Sequence, residues 1–155
     1  MHFASHKCKV AAMKLEKSKW NGCPIRYSAE IIGDKWTFLI LRDVMFRGKN
    51  SYKAFLQSSE KISTNILADR LSKLEGHGLL KKQQDSNNRK QYIYTLTQKG
   101  EDLIPVMFGY FEWALKYDEQ TFLSEKIVDS MKNDSKSMIE KFQEGQVLVL
   151  NSNET

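Results

Sequence analysis

Cysteine and proline are both scarce in this chain, which has two of each among its 155 residues. Cys8 and Cys23 are too few for a disulfide framework or a four-cysteine zinc site, so we expect two free thiols in a reducing compartment. A chain with so little proline and 41% hydrophobic residues is neither disordered nor fibrous. The length and composition predict one compact domain with one core.

Long hydrophobic runs are also missing. The longest lies around residues 36–41 and stops at Arg42, whereas a membrane span needs about 20 apolar residues. The first 21 residues carry scattered lysines but no apolar block of the kind that defines a secretory signal. We therefore expect a cytoplasmic protein that does not bind membranes.

Enzyme motifs are absent from the sequence. It has no glycine-rich phosphate loop, no nucleophile elbow and no cluster of carboxylates in an apolar setting. His2, His6 and Cys8 carry metal-ligating atoms, but they lie in a terminal arm that we expect to be loosely held. The sequence predicts neither catalysis nor a metal or other cofactor.

Charge is unevenly distributed along the chain. Residues 1–21 carry a net charge of +4, residues 22–100 carry +7 and residues 101–155 carry −6. The middle of the chain therefore favours an anionic partner, such as DNA, and the C-terminal third repels one. A basic stretch is also typical of an ordinary solvated surface, so the order of the predicted elements has to decide.

The first half of the chain is predicted to be helical. Residues 25–33 form a helix with Pro24 in its first turn, and the helix over residues 36–46 is apolar on nearly every side, as in a buried central helix. A short helix at residues 53–56 and a polar connection lead to Ser63, a good N-cap for a helix ending near His77. Two helices joined by a short polar turn make a helix-turn-helix.

The second helix of this pair has an outer surface suited to DNA. Leu67, Leu71 and Leu74 form one apolar stripe that faces the core. The opposite face is small and polar, as a helix in the major groove requires. The residues predicted to contact bases are Thr64, Asn65, Ala68, Asp69 and Ser72, with Lys73 beside them on phosphate. Phosphates repel the Asp69 carboxylate unless it accepts from a cytosine or pairs with Lys73. The alternative is the solvent side of an ordinary amphipathic helix.

A β-hairpin with a basic, polar tip follows directly. Residues 80–84 and 91–96 read as strands. This hairpin has the form of a wing, and we assign its tip to the DNA backbone or minor groove; asparagines there tolerate left-handed conformations. The residues assigned to this contact are Asn87, Asn88, Arg89 and Lys90. A solvated hairpin with incidental charge is the alternative.

These residues resemble the HxlR-type helix-turn-helix regulators. The resemblance covers about residues 23–117 and rests on Cys23-Pro24, Ile31-Ile32-Gly33-Asp34-Lys35-Trp36-Thr37, Leu39-Ile40-Leu41-Arg42-Asp43, Ile62-Ser63, Arg70-Leu71, Gly78-Leu79, Tyr94-Thr95-Leu96-Thr97 and Lys99-Gly100. It implies a winged helix, operator binding as a homodimer and base contacts at the start of the Ser63 helix. The sequence departs from the family pattern in three places. Thr64 stands where the family usually has proline, and the segment that leads to the short helix, around residues 49–51, is one residue longer than usual. The wing lacks the prolines that are common in the family. The first two departures change what is presented to DNA.

The segment after the wing is predicted to form dimer contacts. Thr97 is a suitable cap for a long helix with two apolar stripes, of which one covers the domain and the other needs a partner. Pro105 either kinks this helix or marks its true start. The predicted interface residues are Met107, Tyr110, Phe111, Ala114 and Tyr117. A small ligand pocket between subunits is the alternative.

Cys23 is the candidate input site. It stands between Gly22 and Pro24 at the start of the first helix, where unpaired N–H groups, Lys19 and Arg26 favour a thiolate. The alternative is a cysteine that only caps or packs. The resemblance implies a sensor, because some HxlR-type regulators respond to oxidants or electrophiles through this Cys-Pro pair, and Cys8 would then be a resolving thiol.

Together these patterns predict a mainly α protein with a small β-hairpin wing (α+β), a winged helix-turn-helix with flanking dimerisation helices. Its parts are a basic arm at residues 1–22, the winged-helix domain at residues 23–121 and a helical extension and tail at residues 122–155. We expect a homodimeric transcriptional regulator that binds double-stranded DNA at an inverted-repeat operator and responds to a redox or small-molecule effector. The alternative is a winged-helix adaptor that binds protein, which would not need a basic wing.

Overall fold

The computed structural model describes residues 22–120 and the isolated positions Asp129, Ser137 and Glu140. The elements in order are α1 (Pro24–Ile32), α2 (Lys35–Phe46), α3 (Tyr52–Leu56), α4 (Thr64–Gly76), β1 (Leu80–Gln84), β2 (Tyr92–Leu96), α5 (Gln98–Glu101) and α6 (Ile104–Tyr117). This order confirms the predicted fold class, a mainly helical protein with one β-hairpin. The predicted basic arm, with Cys8, and nearly all of the C-terminal extension lie outside the described residues.

Side-chain caps explain where the helices begin. The Asp34 carboxylate accepts hydrogen bonds from the backbone N–H groups of Trp36 and Thr37 at the start of α2. The hydroxyls of Ser51 and Ser63 do the same for α3 and α4. Each cap satisfies a donor that the helix itself leaves unpaired. Ser63 therefore has its predicted role, and α1 begins at Pro24 as predicted.

The core forms around α2. Leu41 and Phe46 of α2 are fully buried, as is Leu67 of α4, and each such side chain contributes about 1.5–3 kcal/mol when it leaves water. The Phe46 ring lies 5.8 Å from that of Phe108 and 5.1 Å from that of Phe111 on α6. The central helix thus holds α4 on one side and α6 on the other.

The hairpin is fixed to the segment that enters α3. The two strands pair antiparallel, from Leu80 opposite Leu96 at the base to Gln84 opposite Tyr92 near the tip. A further bridge joins Ser51 to Ile93, and the backbone N–H of Tyr94 donates to the Asn50 carbonyl at 2.7 Å. The wing is therefore held in a fixed position relative to the helix-turn-helix.

A buried carboxylate organises the end of α2. Asp43 is 2% exposed and pairs with Arg42 at 2.7 Å, Arg47 at 3.3 Å and Lys49 at 3.4 Å. The hydroxyl of Ser58 also donates to it. A charge at this depth is tolerated only with such partners, so Asp43 ties α2 to the chain on both sides of α3.

The segment after the wing differs in part from the prediction. Thr97 caps only the short α5, and α6 begins separately at Ile104 with Pro105 in its first turn. Of the two roles considered for Pro105, the true helix start is the correct one, because proline needs no N–H there.

No helix in the described part of the chain is long and apolar enough to span a membrane.

Candidate nucleic-acid interface

Helix α4 presents the predicted polar face to solvent. Leu67, Leu71 and Leu74 are buried, which confirms the predicted core stripe. The residues assigned to base and phosphate contact are all exposed: Thr64, Asn65, Ala68, Asp69, Ser72 and Lys73. The side chains at the centre of this face are an amide, a methyl group and hydroxyls, which leave the backbone of α4 free to approach a flat surface closely.

The first turn of α4 is held from two directions. The Ser63 hydroxyl accepts from the Ile66 N–H at 3.4 Å, and the Tyr52 hydroxyl of α3 donates to the Thr64 carbonyl at 2.8 Å. In the turn before it, Lys61 has a left-handed backbone with φ 53°. These contacts fix the orientation of the first turn of α4, which carries the exposed Asn65.

Asp69 is paired within the protein. Its carboxylate lies 3.3 Å from the Lys73 ammonium and also accepts from Arg70. Lys73, followed by Arg70, lowers the pKa of Asp69 below its ordinary value although burial acts in the other direction. Of the two alternatives considered for Asp69, the structure shows the pairing with Lys73, so the negative charge is compensated in the free protein.

The tip of the wing is built by side-chain turns. The Asp85 carboxylate accepts from the Asn87 N–H at 2.8 Å, and the Asn88 side chain accepts from the Lys90 N–H at 3.2 Å. The expectation that the wing asparagines adopt left-handed conformations is wrong. Among the non-glycine residues that the structure describes, only Lys61 has a positive φ. The asparagine at position 88 serves as a hydrogen-bond acceptor instead. Arg89 and Lys90 are exposed, as a contact to phosphate requires.

An open groove brings α4 and the wing together. Its walls include Ala68 and Ser72 from α4 and Asn88 and Lys90 from the wing, residues that the sequence assigned separately to base and phosphate contact. The groove also contains two lysines that the sequence analysis missed, Lys53 of α3 and Lys82 of β1.

Lys82 lies in the groove beside an aromatic ring of the opposite strand. Its ammonium lies 4.4 Å from the centre of the Tyr92 ring, a cation–π contact across the hairpin. β1 is exposed at every position after Leu80. The sequence signal for Lys82 was therefore a pair of lysines, Lys81 and Lys82, in a strand that leads to the basic tip of the wing. The groove therefore carries three ammonium groups, from Lys53, Lys82 and Lys90, against the single carboxylate of Glu75.

Helix α6 divides the predicted dimer residues into two groups. Met107 was wrong as an interface residue, because it is 4% exposed and belongs to the core of its own chain. Phe111 is partly buried, with its ring against Phe46, and Ala114 is also partly buried. Tyr110 and Tyr117 are exposed. They form an exposed stripe at helical spacing with Val106 and Trp113, two residues that the sequence analysis did not assign to the interface.

Cys23 is exposed at the start of α1. Its sulfur accepts from the Arg26 backbone N–H at 3.4 Å and so caps the helix. The predicted position beside unpaired helical N–H groups is confirmed. Within the described residues there is no group of three or more His, Cys, Asp or Glu side chains that could hold a metal ion.

Comparison with known proteins agrees with this geometry. The HxlR-like helix-turn-helix family matches residues 31–122. The transcriptional regulator YodB of Bacillus subtilis strain 168 is 33% identical over 98 residues, which cover 63% of this chain and 87% of YodB. The regulator sll1512 of Synechocystis is 29% identical over 98 residues, 63% of this chain and 72% of that protein.

Solved structures give the same picture. The reduced form of YodB superimposes with a TM-score of 0.53 and 30% identity, over 64% of this chain and 98% of YodB. The redox regulator HypR in its oxidized form superimposes with a TM-score of 0.54 and 25% identity, over 61% of this chain and 96% of HypR. Because the family match spans more than half of the chain and the winged helix is complete, this protein belongs to the HxlR-like helix-turn-helix family and is a DNA-binding regulator of transcription.

Proposed function

We propose that the protein regulates transcription as a homodimer that reads an inverted-repeat operator, with α4 in the major groove and the wing on the adjacent backbone. The observation that carries this proposal is the groove in which Ala68 and Ser72 of α4 face Asn88 and Lys90 of the wing. A single DNA duplex lying on that surface meets small polar side chains at its base edges and ammonium groups at its phosphates.

The contacts divide into two kinds. We assign Asn65, exposed in the first turn of α4, to an adenine edge, and its exposed neighbours Thr64, Ala68, Asp69 and Ser72 to the rest of the base-reading face. Phosphate contacts come from Lys73 on the helix and from Asn87, Asn88, Arg89 and Lys90 on the wing. The first set fixes sequence preference and the second supplies affinity and its dependence on salt.

The exposed aromatic residues of α6 support the proposed homodimer. Tyr110, Trp113 and Tyr117 are 55%, 66% and 64% exposed and lie on one side of a single helix. Such a row of aromatic rings is costly to leave in water, so a second copy of the chain is its natural cover. A symmetric pair would carry two α4 helices related by a two-fold axis, and dimers of this kind read inverted repeats with half-sites about one turn of DNA apart.

The proposed input is oxidation or alkylation of Cys23. The thiol is exposed at the N-terminus of α1, where its sulfur accepts from the Arg26 backbone N–H, so an oxidant or electrophile in solution can reach it. Two structural relatives support a redox input, YodB in its reduced form and the redox regulator HypR in its oxidized form. A small ligand between subunits is the second candidate. We place the protein in the cytoplasm, on the nucleoid when it is bound to DNA.

The experiment is selection of bound fragments from fragmented genomic DNA, followed by sedimentation of the free protein. The proposal predicts enrichment of a short inverted repeat and a stable dimer. Enrichment of a single unrepeated site, or a stable monomer, contradicts the homodimer. Failure to enrich any sequence, with retained solubility and helical content, contradicts operator binding and leaves the protein-binding adaptor.

A further inference from the structure

Arg70 connects two elements of the DNA-binding domain. It lies on α4, next to Asp69, and its Nε donates to the Asp34 carboxylate at 2.9 Å. Its Nη1 donates to Asp69. Asp34 lies 36 residues earlier in the chain, where it caps α2, so one guanidinium joins the start of the central helix to the outer face of α4.

The geometry leaves Arg70 little freedom. Its side chain is 24% exposed, against 50% for Asp69 and 59% for Lys73. Two carboxylates accept from its Nε and Nη1, and a planar guanidinium holds such a pair in a fixed arrangement that a lysine does not reproduce. Burial of Asp34 opposes its ionisation, but hydrogen bonds from Thr37 and Arg70 prevail and lower its pKa below the ordinary value.

Asp69 would otherwise weaken DNA binding. It stands among the exposed residues assigned to base contact, where an uncompensated carboxylate meets the phosphates with repulsion. Lys73 alone is a weak partner, because a flexible, largely exposed ammonium at 3.3 Å is easily drawn to a phosphate. Arg70 also binds Asp34, so it is the partner able to keep Asp69 paired when Lys73 contacts a phosphate.

We propose that Arg70 is a positioning residue for operator binding: it fixes α4 against the start of α2 and neutralises Asp69, without contacting DNA itself. This inference rests on the proposed function, since it requires α4 to be the helix that faces the operator.

A double-mutant cycle tests the proposal. The variants are Arg70→Gln, Asp69→Asn and their combination, measured by operator dissociation constants at several salt concentrations. We expect Arg70→Gln to weaken binding about tenfold, within the range of residues that share an ion-pair network. Asp69→Asn on that background should restore the part of the loss that comes from the unpaired carboxylate, while the part that comes from the lost link to Asp34 remains.

A matched pair separates this effect from net charge. Glu30 is an exposed carboxylate on α1, outside the groove, so Arg70→Gln with Glu30→Gln restores the same net charge without changing Asp69 or the DNA-facing surface. The proposal requires a clearly larger rescue by Asp69→Asn than by Glu30→Gln. Equal rescue, or none from either, overturns it.

The salt dependence distinguishes positioning from direct contact. If Arg70 bound a phosphate, its loss would reduce the slope of log Kd against log salt by about one unit. The proposal predicts an unchanged slope for Arg70→Gln and a partial defect for Arg70→Lys, and a slope reduced by one unit contradicts it.

A second variant covers the possibility that Arg70→Gln unfolds. Asp34→Asn keeps a good N-cap but removes the ion pair, so we expect a melting temperature near that of the wild type and a broadened preference among operator sequences. Unchanged preference contradicts the positioning role. If the wild type itself binds no specific DNA, the proposed function fails; if it binds and only the rescue is missing, this inference alone fails.

Discussion

The phenolic hydroxyl of Tyr52 donates a hydrogen bond to the backbone carbonyl of Thr64, 2.8 Å away. Tyr52 is the first residue of α3 and Thr64 is the first residue of α4. The bond therefore joins the two helices of the helix-turn-helix at the end of α4 that carries Asn65. Its atoms are accessible to water, so it contributes more to the orientation of α4 than to the stability of the domain.

Loss of this hydroxyl should loosen DNA binding without unfolding the protein. We expect Tyr52→Phe to lower the free energy of unfolding by about 0.5 kcal/mol, the low end for a single hydrogen bond, and to weaken operator binding severalfold. Tyr27→Phe, which removes the exposed hydroxyl of α1 that accepts from Lys99 at 3.3 Å, is the matched control in the same urea melts and binding titrations. A defect of equal size in the control would contradict the orienting role.

The wing should supply affinity without sequence preference. Arg89→Ala and Lys90→Ala are each expected to weaken binding to all sequences alike and to reduce the salt slope by about one unit. Lys99→Gln is the control, because Lys99 lies at the base of the hairpin and donates to the His77 carbonyl at 2.8 Å. A change in base preference in either wing variant, or an unchanged slope, would rule out a phosphate contact.

Acid should weaken the link between α2 and the turn after α3. The Arg42 guanidinium donates to Glu60 at 2.6 Å, and this hydrogen bond lowers the pKa of Glu60 from 4.5 to about 2. Because the folded-state pKa is the lower one, the contribution is present above about pH 4.5 and is lost as the pH falls toward 2.

The variant Glu60→Gln measures this contribution. It should lose roughly 1 kcal/mol of unfolding free energy at pH 7, as for a favourable, partly exposed ion pair, and show a shallower decline than the wild type between pH 5 and pH 3. Glu30→Gln, on the exposed side of α1, should keep the wild-type decline. Parallel curves for Glu60→Gln and the wild type would show that the ion pair does not stabilise the fold.

Oxidation should release the operator through Cys23. Treatment with diamide is expected to reduce the affinity of the wild type by at least about fivefold, the lower end of typical allosteric coupling, and to leave Cys23→Ser unaffected. Cys8→Ser separates the two thiols, and intact mass without reductant identifies the disulfide that forms. An equal loss of affinity in Cys23→Ser, or no loss in the wild type, would mean that Cys23 only caps α1.

Much of the fold follows from local signals in the sequence. Helix starts and buried helix faces depend on residues that are close in sequence. Pro24 begins α1, Ser63 caps α4 and the leucine stripe of α4 is buried, all as predicted. Met107 was misplaced because a helical wheel reveals two apolar stripes but not which of them meets α2. The turn at the wing was misjudged for a related reason, since an asparagine satisfies a tight turn either with its backbone or with its side chain.

The contacts that orient α4 could not be predicted from the sequence. Asp34 and Arg70 meet only because α2 and α4 pack together, and no spacing rule links residues so far apart. Asp43 reads as an ordinary surface charge at the end of a helix, yet it is buried among three cationic partners. The presence of Lys53 and Lys82 in one groove with α4 depends in the same way on how the wing packs beside α3.

The most direct measurement compares the wild type and Asn65→Ala on a selected operator in which each base pair is substituted in turn. If α4 reads the major groove in a symmetric dimer, Asn65→Ala loses about 1–3 kcal/mol of discrimination at one base pair in each half-site, and the two positions are related by the dyad. Discrimination should persist at the other positions, and the salt slope should not change. Identical preference profiles for the two proteins would contradict the account, as would a loss at a single position without a symmetric mate.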